Sequence, residues 1–423
     1  MLQLDDLDGA VRAARAVRRP AGHLSVEAEV KKIIERVRDG GAAELVALTK
    51  ELDRADVSGL LEVSAGEMAS SWDQTDDALK AAMKKSRERI ARFAETAAGT
   101  DWTGSPAPGL ETGQVFRPLR RAGIYIPGGR FAYPSTVLMT GVPAEVAGVT
   151  EIVFCIPPRS DGRVPSLSLA ATTLVEGARV FRVGGAQAIA AMAYGADPVP
   201  MCPFVAGPGN AYVIEAKRQV SGDVRIDMLA GPSEVAVYIE DAGVARFAAA
   251  DLLSQLEHDP QSLALCVSND CDVLQAVSRE MKKIEPDGSE GSSGRAMLAL
   301  CAGRKEALAF INELAPEHLE LMTEDSEELL AGIESAGCVL LGPLSGVAFG
   351  DYLAGPSHVL PTGGAAVARG GLSARDFQRA VNVISYDPAG ALADGPDAIV
   401  LARAEGLEMH ARSIEERIEG EDI

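Results

Sequence analysis

Aromatic side chains make up only 4% of the 423 residues, which argues against stacked platforms for bases or sugar rings. A small polar substrate suits this composition better. Basic residues are outnumbered, 40 Lys and Arg against 61 Asp and Glu, for a formal net charge of −21. That balance disfavours a nucleic-acid partner, because a phosphate backbone is bound through clustered Lys and Arg that release counterions. No run of eighteen apolar residues occurs, and the opening MLQLDDLDGAVRAARAVRR lacks an apolar stretch of signal-peptide length, so a cytoplasmic protein is expected. The six cysteines (Cys155, Cys202, Cys266, Cys271, Cys301 and Cys338) have no CxxC spacing and read as buried free thiols rather than disulfides or a thiolate zinc site. Neither a GxGxxG fingerprint nor a repeat of fixed period is present.

What the chain does contain is an α/β rhythm in a length sufficient for two or three domains. From about 25 to 98, acid, base and apolar residues recur at helical spacing, as in VEAEVKKIIERVRDGG and DDALKAAMKKSRERIARFAE. Short β-rich runs ending in Gly or Pro follow: AGIYIPGG, EIVFCIPP, ARVFRVGG and PFVAGPGN, each succeeded by an Ala-rich helical segment. Such alternation predicts a parallel sheet with ligand loops at the carboxyl ends of its strands. After IDMLAGPSEVAVYIE the rhythm resumes, with a helix through 243–258, strands at LALCVS, near 297–301 and at GCVLLG, and a Gly/Ser loop at 285–294. The expected architecture is two incomplete Rossmann-like α/β domains, one inserted in the other. Their bounds are a helical N-terminal extension at 1–20, a discontinuous first α/β domain at 21–122 and 235–372, a second α/β domain at 123–234 on the cofactor side, and a C-terminal helical tail at 373–423.

Five histidines are available, and four of them (His258, His318, His358 and His410) fall in the last 170 or so residues. A lone histidine is more often a hydrogen-bonded surface or core residue than a ligand; this grouping points to a site. In DLLSQLEHD, Gln255 and His258 stand three apart, so on a helix an amide oxygen and an imidazole nitrogen can converge on one ion. His318 follows Glu317 directly, and Glu405 precedes His410 by five. The turns Gly184-Gly185-Ala186-Gln187 and Gly207-Pro208-Gly209-Asn210 put an amide side chain at a helix start, where a phosphate or nicotinamide could be held; equally, they could be tight βα turns whose glycines relieve strain.

IYIPGG, YPSTVLM, VGGAQAIAAMAYG, GPGNAYVIEAKR, IDMLAGPSEV, DLLSQLEHD, APEHLEL, GDYLAGPSHVLPT and the terminal EGLEMHA resemble, in order and spacing, the histidinol dehydrogenase family over nearly the whole chain. The resemblance implies an NAD-dependent, zinc-containing enzyme that oxidises L-histidinol to L-histidine through an aldehyde, as the last step of histidine biosynthesis. Carried over by position, it implies zinc ligands Gln255, His258, Asp351 and His410. It implies Glu317 and His318 as catalytic residues, the His as acid/base and the Glu as activator of water. Ser233, His358 and Glu405 match substrate contacts alongside these six, and Tyr125, Gln187 and Asn210 match cofactor-side positions. A homodimer is implied, with tail residues Glu405 and His410 completing the neighbour's site. The same fold also hosts dehydrogenases of other small polar alcohols, including hydroxy-sulfonates, and a non-catalytic metal-binding homologue is the remaining alternative.

Overall fold

The computed structural model describes residues 2–3, 7–18, 26–57, 60–128, 132–257, 260–284 and 294–419. In chain order the elements begin with β1 (Leu2–Gln3), α1 (Leu7–Arg18), α2 (Glu27–Leu52), α3 (Ala65–Asp73), α4 (Asp77–Ala97), β2 (Trp102–Ala107) and β3 (Leu110–Pro118). Next come β4 (Arg121–Tyr125), α5 (Pro134–Val146), β5 (Glu151–Cys155), α6 (Ser166–Thr172), β6 (Ala178–Phe181), α7 (Gly185–Tyr194), β7 (Phe204–Ala206), α8 (Ala211–Val220) and β8 (Arg225–Ile226). The second half holds β9 (Glu234–Ile239), α9 (Ala245–Leu256), β10 (Leu263–Ser268), α10 (Cys271–Ile284), β11 (Arg295–Leu300), α11 (Arg304–Leu314), β12 (His318–Met322), α12 (Ser326–Leu330), β13 (Cys338–Leu341) and α13 (Val347–Tyr352). The chain closes with β14 (Gln378–Tyr386), α14 (Pro388–Ala404) and α15 (Glu408–Ile418).

Two open sheets are parallel throughout. One has the order β6-β5-β4-β7-β8 and the other β1-β11-β10-β9-β12-β13. In each, the chain winds outward in one direction and then restarts on the other side, so the strand order reverses between β4 and β7 and again between β9 and β12. Open α/β sheets bind ligands at such reversal points. The strands are nearly continuous apolar runs, as strands covered on both faces require: VYI within β9 and LALCV within β10 are wholly buried. Helix α7, GAQAIAAMAY, is almost entirely buried because its alanines let it lie close between α2 and the first sheet. Local signals start several helices; at α3 the Ser64 hydroxyl accepts from Glu67 N while the Glu67 carboxylate accepts from Ser64 N.

A compact unit comprising residues 1–97 and 120–377 contains both parallel sheets, and a second unit comprises 98–119 with 378–423. The second unit holds the helical tail, α14 and α15, and a strand besides. Its strand β14 pairs antiparallel with β3 over nine residues, from Gln378↔Pro118 to Tyr386↔Leu110, and β2 completes a three-stranded sheet. The RAVNVISY segment carries the β-branched residues a strand favours, but its partner lies some 270 residues earlier, so local reading misses the pairing. Strand β12 also goes unanticipated: HLELM contains good helix formers, and its position between β9 and β13 makes it a strand.

Lys217 on α8 and Asp227 after β8 form an ion pair whose side chains are essentially sealed from water. Lys217 Nζ also donates to Gly207 O at 3.0 Å, while Gly207 N and Met228 N donate to the Asp227 carboxylate at 2.8 and 2.6 Å. Breaking a buried pair strands a charge. Lys217→Met is therefore expected to cost about 3–5 kcal/mol in denaturant unfolding, and Lys217→Met/Asp227→Asn to recover much of that loss. Equal destabilisation by the single and double changes would contradict this account.

Candidate active site

The acid–imidazole pair lies at the amino end of β12, beside the reversal point of the second sheet. Glu317 and His318 are both buried. The Glu317 carboxylate Oε2 accepts from Glu234 N at 2.7 Å, tying the start of β12 to the start of β9. His318 Nδ1 lies 3.3 Å from Glu234 O and 3.8 Å from Glu317 Oε2. A carbonyl can only accept, so Nδ1 carries the proton in the neutral ring and Nε2 is the basic nitrogen. Nε2 lies 3.9 Å from Asp351 Oδ1, within reach of an ion pair once the ring is charged. Burial raises the Glu317 pKa well above the usual carboxylate range; the Glu234 N–H opposes the shift, and the charges of Glu234 and Asp351 add to it.

This placement reverses the expectation that ligand loops gather at carboxyl ends. At the carboxyl end of the second sheet's reversal point, Arg304 instead bridges Glu240 and Asp325, and the Tyr238 hydroxyl donates to Glu240. Ion pairing fills that crevice. In the first sheet the residues matched to the cofactor side do stand at carboxyl ends: Tyr125 ends β4, Asn210 follows β7, and Gln187 stands in the first turn of α7 after β6.

Among the other proposed site residues, Asp351 and His358 are joined, His358 Nδ1 lying 3.1 Å from Asp351 O. Ser233 immediately precedes Glu234, and Gly363 N donates to Glu234 Oε1 at 3.2 Å, so the loops around 233 and 358–363 adjoin the pair. Gln255 is buried on α9, which packs against α13, the helix of Asp351; its Nε2 has no hydrogen-bond partner among the described residues. Because amide oxygen and nitrogen exchange by a flip, a buried side chain of this kind can offer a donor oxygen to a cation. Helix α9 ends at Leu256 with Glu257 as its cap, and His258 lies outside the described residues, as do His23 and most of the Gly/Ser loop, 285–293. No group of three His, Cys, Asp or Glu able to hold a metal occurs among the described residues. Gln255 and Asp351, an amide and a carboxylate on adjoining helices, fit half of an O/N zinc shell. Glu405 and His410 belong to the second unit, where Glu405 caps α14 and His410 lies in the first turn of α15, both exposed.

On the cofactor side, Gly185 N donates weakly to the buried Tyr125 hydroxyl at 3.4 Å, and burial raises that hydroxyl's pKa. Gln187 Nε2 donates to Asp53 Oδ2 at 3.0 Å, while Gln187 Oε1 is buried with no partner among the described residues. The Asp53 carboxylate also accepts from Gly184 N, so it caps α7 at the place where a phosphate would sit. Asn210 caps α8, its Oδ1 accepting from Tyr212 N and Val213 N at 3.1 and 3.2 Å. The α8 turn thus supplies its own helix cap, whereas the α7 turn is held by Asp53 from outside it. Sequence reading missed Asp53, Glu234, the half-buried Asp251 and the buried Glu320. For Asp53 the signal is faint: it ends α2, and Arg54 after it takes a positive φ of 56°.

Two parallel sheets with reversal points and a buried acid–imidazole pair define an α/β enzyme. Comparison with known proteins identifies which kind. The histidinol dehydrogenase family pattern matches residues 17–418. A histidinol dehydrogenase of Natronomonas pharaonis is 42% identical over 425 residues, covering 98% of each chain, and one of Oceanobacillus iheyensis is 39% identical over 406 residues, covering 94% of each. The crystal structure of histidinol dehydrogenase from Elizabethkingia anophelis superposes with a TM-score of 0.91 at 30% identity, covering 99% of this chain and 98% of that one. This chain belongs to the histidinol dehydrogenase family; it is a dehydrogenase.

Burial raises the Asp53 pKa from 3.8 to about 6, against the opposing hydrogen bonds from Gly184 and Gln187. The folded chain therefore holds this proton more tightly than the unfolded chain. Its stabilisation is complete below the unfolded pKa and is lost as pH rises through about 6. Asp53→Asn removes the titration, and the flipped Gln187 amide can still pair with it. Relative to wild type, the variant is expected to gain on the order of 2 kcal/mol between pH 4 and pH 8. Melting of both proteins at the two pH values checks the sign; a pH-independent difference would exclude Asp53 as the source.

Proposed function

We propose that this chain oxidises L-histidinol to L-histidine in two hydride transfers, with NAD as acceptor and zinc as resident metal. The observation that carries the reading is the buried Glu317–His318 pair, whose basic Nε2 is turned toward Asp351. In the first step the alcohol gives its proton to His318 Nε2 as its hydride leaves, and the aldehyde forms. The Glu234 carbonyl holds Nδ1–H, and the Asp351 carboxylate favours the charged ring. In the second step water adds to the aldehyde as Glu317 takes its proton, and the hydrate loses a second hydride to give the carboxylate. A carboxyl held at raised pKa is a stronger base toward water than an exposed one.

Gln255 and Asp351 would hold zinc, together with His258 and His410; when bound, it fixes the substrate and polarises its oxygen. Tyr125, Gln187 and Asn210 would hold NAD, with Gln187 Oε1, which has no hydrogen-bond partner among the described residues, as an acceptor. The substrate class is a small polar alcohol.

The second unit supports a homodimer. Its buried residues, among those described, are Gly113, Leu119, Gly390, Gly395 and Ala411, so it has almost no core of its own. Val381, Val383 and Ile384 on β14 and Leu392, Val400 and Leu401 on α14 stand exposed. An apolar surface of that extent calls for a covering partner. A second copy of the chain is that partner in this reading, and the exposed Glu405 and His410 are then placed to complete its site.

Purified enzyme should form two NADH per L-histidinol and prefer it to hydroxy-sulfonates; a yield of one, or a better sulfonate substrate, would overturn the assignment. His318→Ala should keep its metal and lose about 10²–10⁴-fold in kcat, whereas His258→Ala should lose the metal. Metal analysis of the two variants separates the roles. Mixing subunits tests the shared site: His318→Ala and His410→Ala are each expected to be inactive alone. Refolded together, they should regain about one quarter of wild-type activity, from heterodimers with one intact site. If no activity returns, His410 acts within its own chain.

A further inference from the structure

Glu320 is the most deeply buried acid of the second sheet, with no exposed surface, and the reaction as derived gives it no task. Side chains two apart on a strand share a face, so Glu320 points the same way as His318, toward the apolar cluster of Val237, Ala248, Leu252 and Val347. Its Oε1 accepts from Val347 N, the first residue of α13, at 2.8 Å. Its carboxyl also pairs with that of Asp251 on α9. Gly346 permits this approach, since a Cβ there would lie 2.9 Å from Asp251 Oδ1.

The spacing along each element gives the cluster its meaning. Asp251 is one helical turn from Gln255 on α9, Val347 is one turn from Asp351 on α13, and Glu320 is one pleat from His318 on β12. The three elements that carry these site residues are therefore fastened together one turn or pleat away from them. We propose that the Asp251–Glu320 carboxyl pair, with its hydrogen bond to Val347 N, is a positioning device that holds Gln255 and Asp351 in register with His318. This rests on the metal and acid–base roles proposed above. Glu320 Oε2 is buried and has no donor among the described residues other than a proton shared with Asp251. Burial accordingly raises both acids, Asp251 to about 6. Two carboxyls in contact cannot both ionise, and the single proton joins them.

The test compares Glu320→Gln with Glu320→Met in the full-length enzyme, reading zinc affinity by chelator competition, kcat, the KM for NAD, and hydrogen exchange at Val347 N. Gln retains an acceptor for Val347 N and a donor for Asp251, so it should match wild type in all four. Met fills similar space without either bond. It should weaken zinc binding and kcat by about 10–100-fold each, speed exchange at Val347 N, and leave the KM for NAD unchanged. The proposal fails if the Met variant keeps wild-type zinc affinity and kcat, or if Gln falls as far as Met. Should the Met variant not fold, Asp251→Ala, whose side chain is partly exposed, takes its place with the same expectations. A wild-type protein that holds no zinc would overturn the metal reading alone, and kcat with Val347 exchange would still decide the positioning role.

Discussion

A carboxyl group taken out of water must find a donor, and at the amino edge of the second sheet that donor is repeatedly the backbone at the start of another segment. Glu317 holds Glu234 N, Glu234 holds Gly363 N, and Glu320 holds Val347 N. Glu317 and Glu234 so fasten the start of β9 and the 358–363 loop beside the amino end of β12, and Glu320, in the middle of β12, fastens the start of α13. The arrangement of His318, Asp351 and His358 follows from that lacing. It also sets the chemistry, because burial makes these acids more basic than those on the surface, and the amide N–H groups offset only part of that rise.

The residues proposed for the cofactor and for the acid–base chemistry lie at opposite ends of their two sheets, and connectivity accounts for it. Residues 227–233 run directly from the carboxyl end of β8 to the amino end of β9, too short a link to travel the length of a sheet and return. The second sheet must therefore start near where the first one finishes. The glycine turns after β4, β6 and β7 and the acid–imidazole pair at the head of β12 lie on edges joined by this link. The far end of the second sheet is left for the Arg304 ion-pair network.

Much of the fold was legible because parallel strands buried on both faces announce themselves as short apolar runs between Gly or Pro turns, as in EIVFC and LALCVS. What escaped was set by distant partners. HLELM is a strand only because β9 and β13 flank it, and RAVNVISY only because residues 110–118 return to it. The candidate site shows the same division. Glu317 and His318 stood out as neighbours of matching chemistry, and the structure does bring Asp351 and His358 beside them. Glu320 and Asp53 did not stand out, because an acid in sequence looks like a solvated surface residue until the fold shows it buried. The Gly184–Gln187 turn looked open for a phosphate because nothing in its own sequence tells that a carboxylate from residue 53 already sits there.

The near absence of a core in the unit formed by 98–119 and 378–423 constrains how this protein can change over time. In a segment with its own interior, a substitution is judged by neighbours in the same segment, and compensating changes can arise there. Here five buried residues, three of them glycines, do almost none of that judging. The apolar residues of β14 and α14 answer to whatever surface covers them, so they can vary only in step with that surface. With a second copy covering it as proposed, the segment's record of natural selection would be a record of that copy's shape.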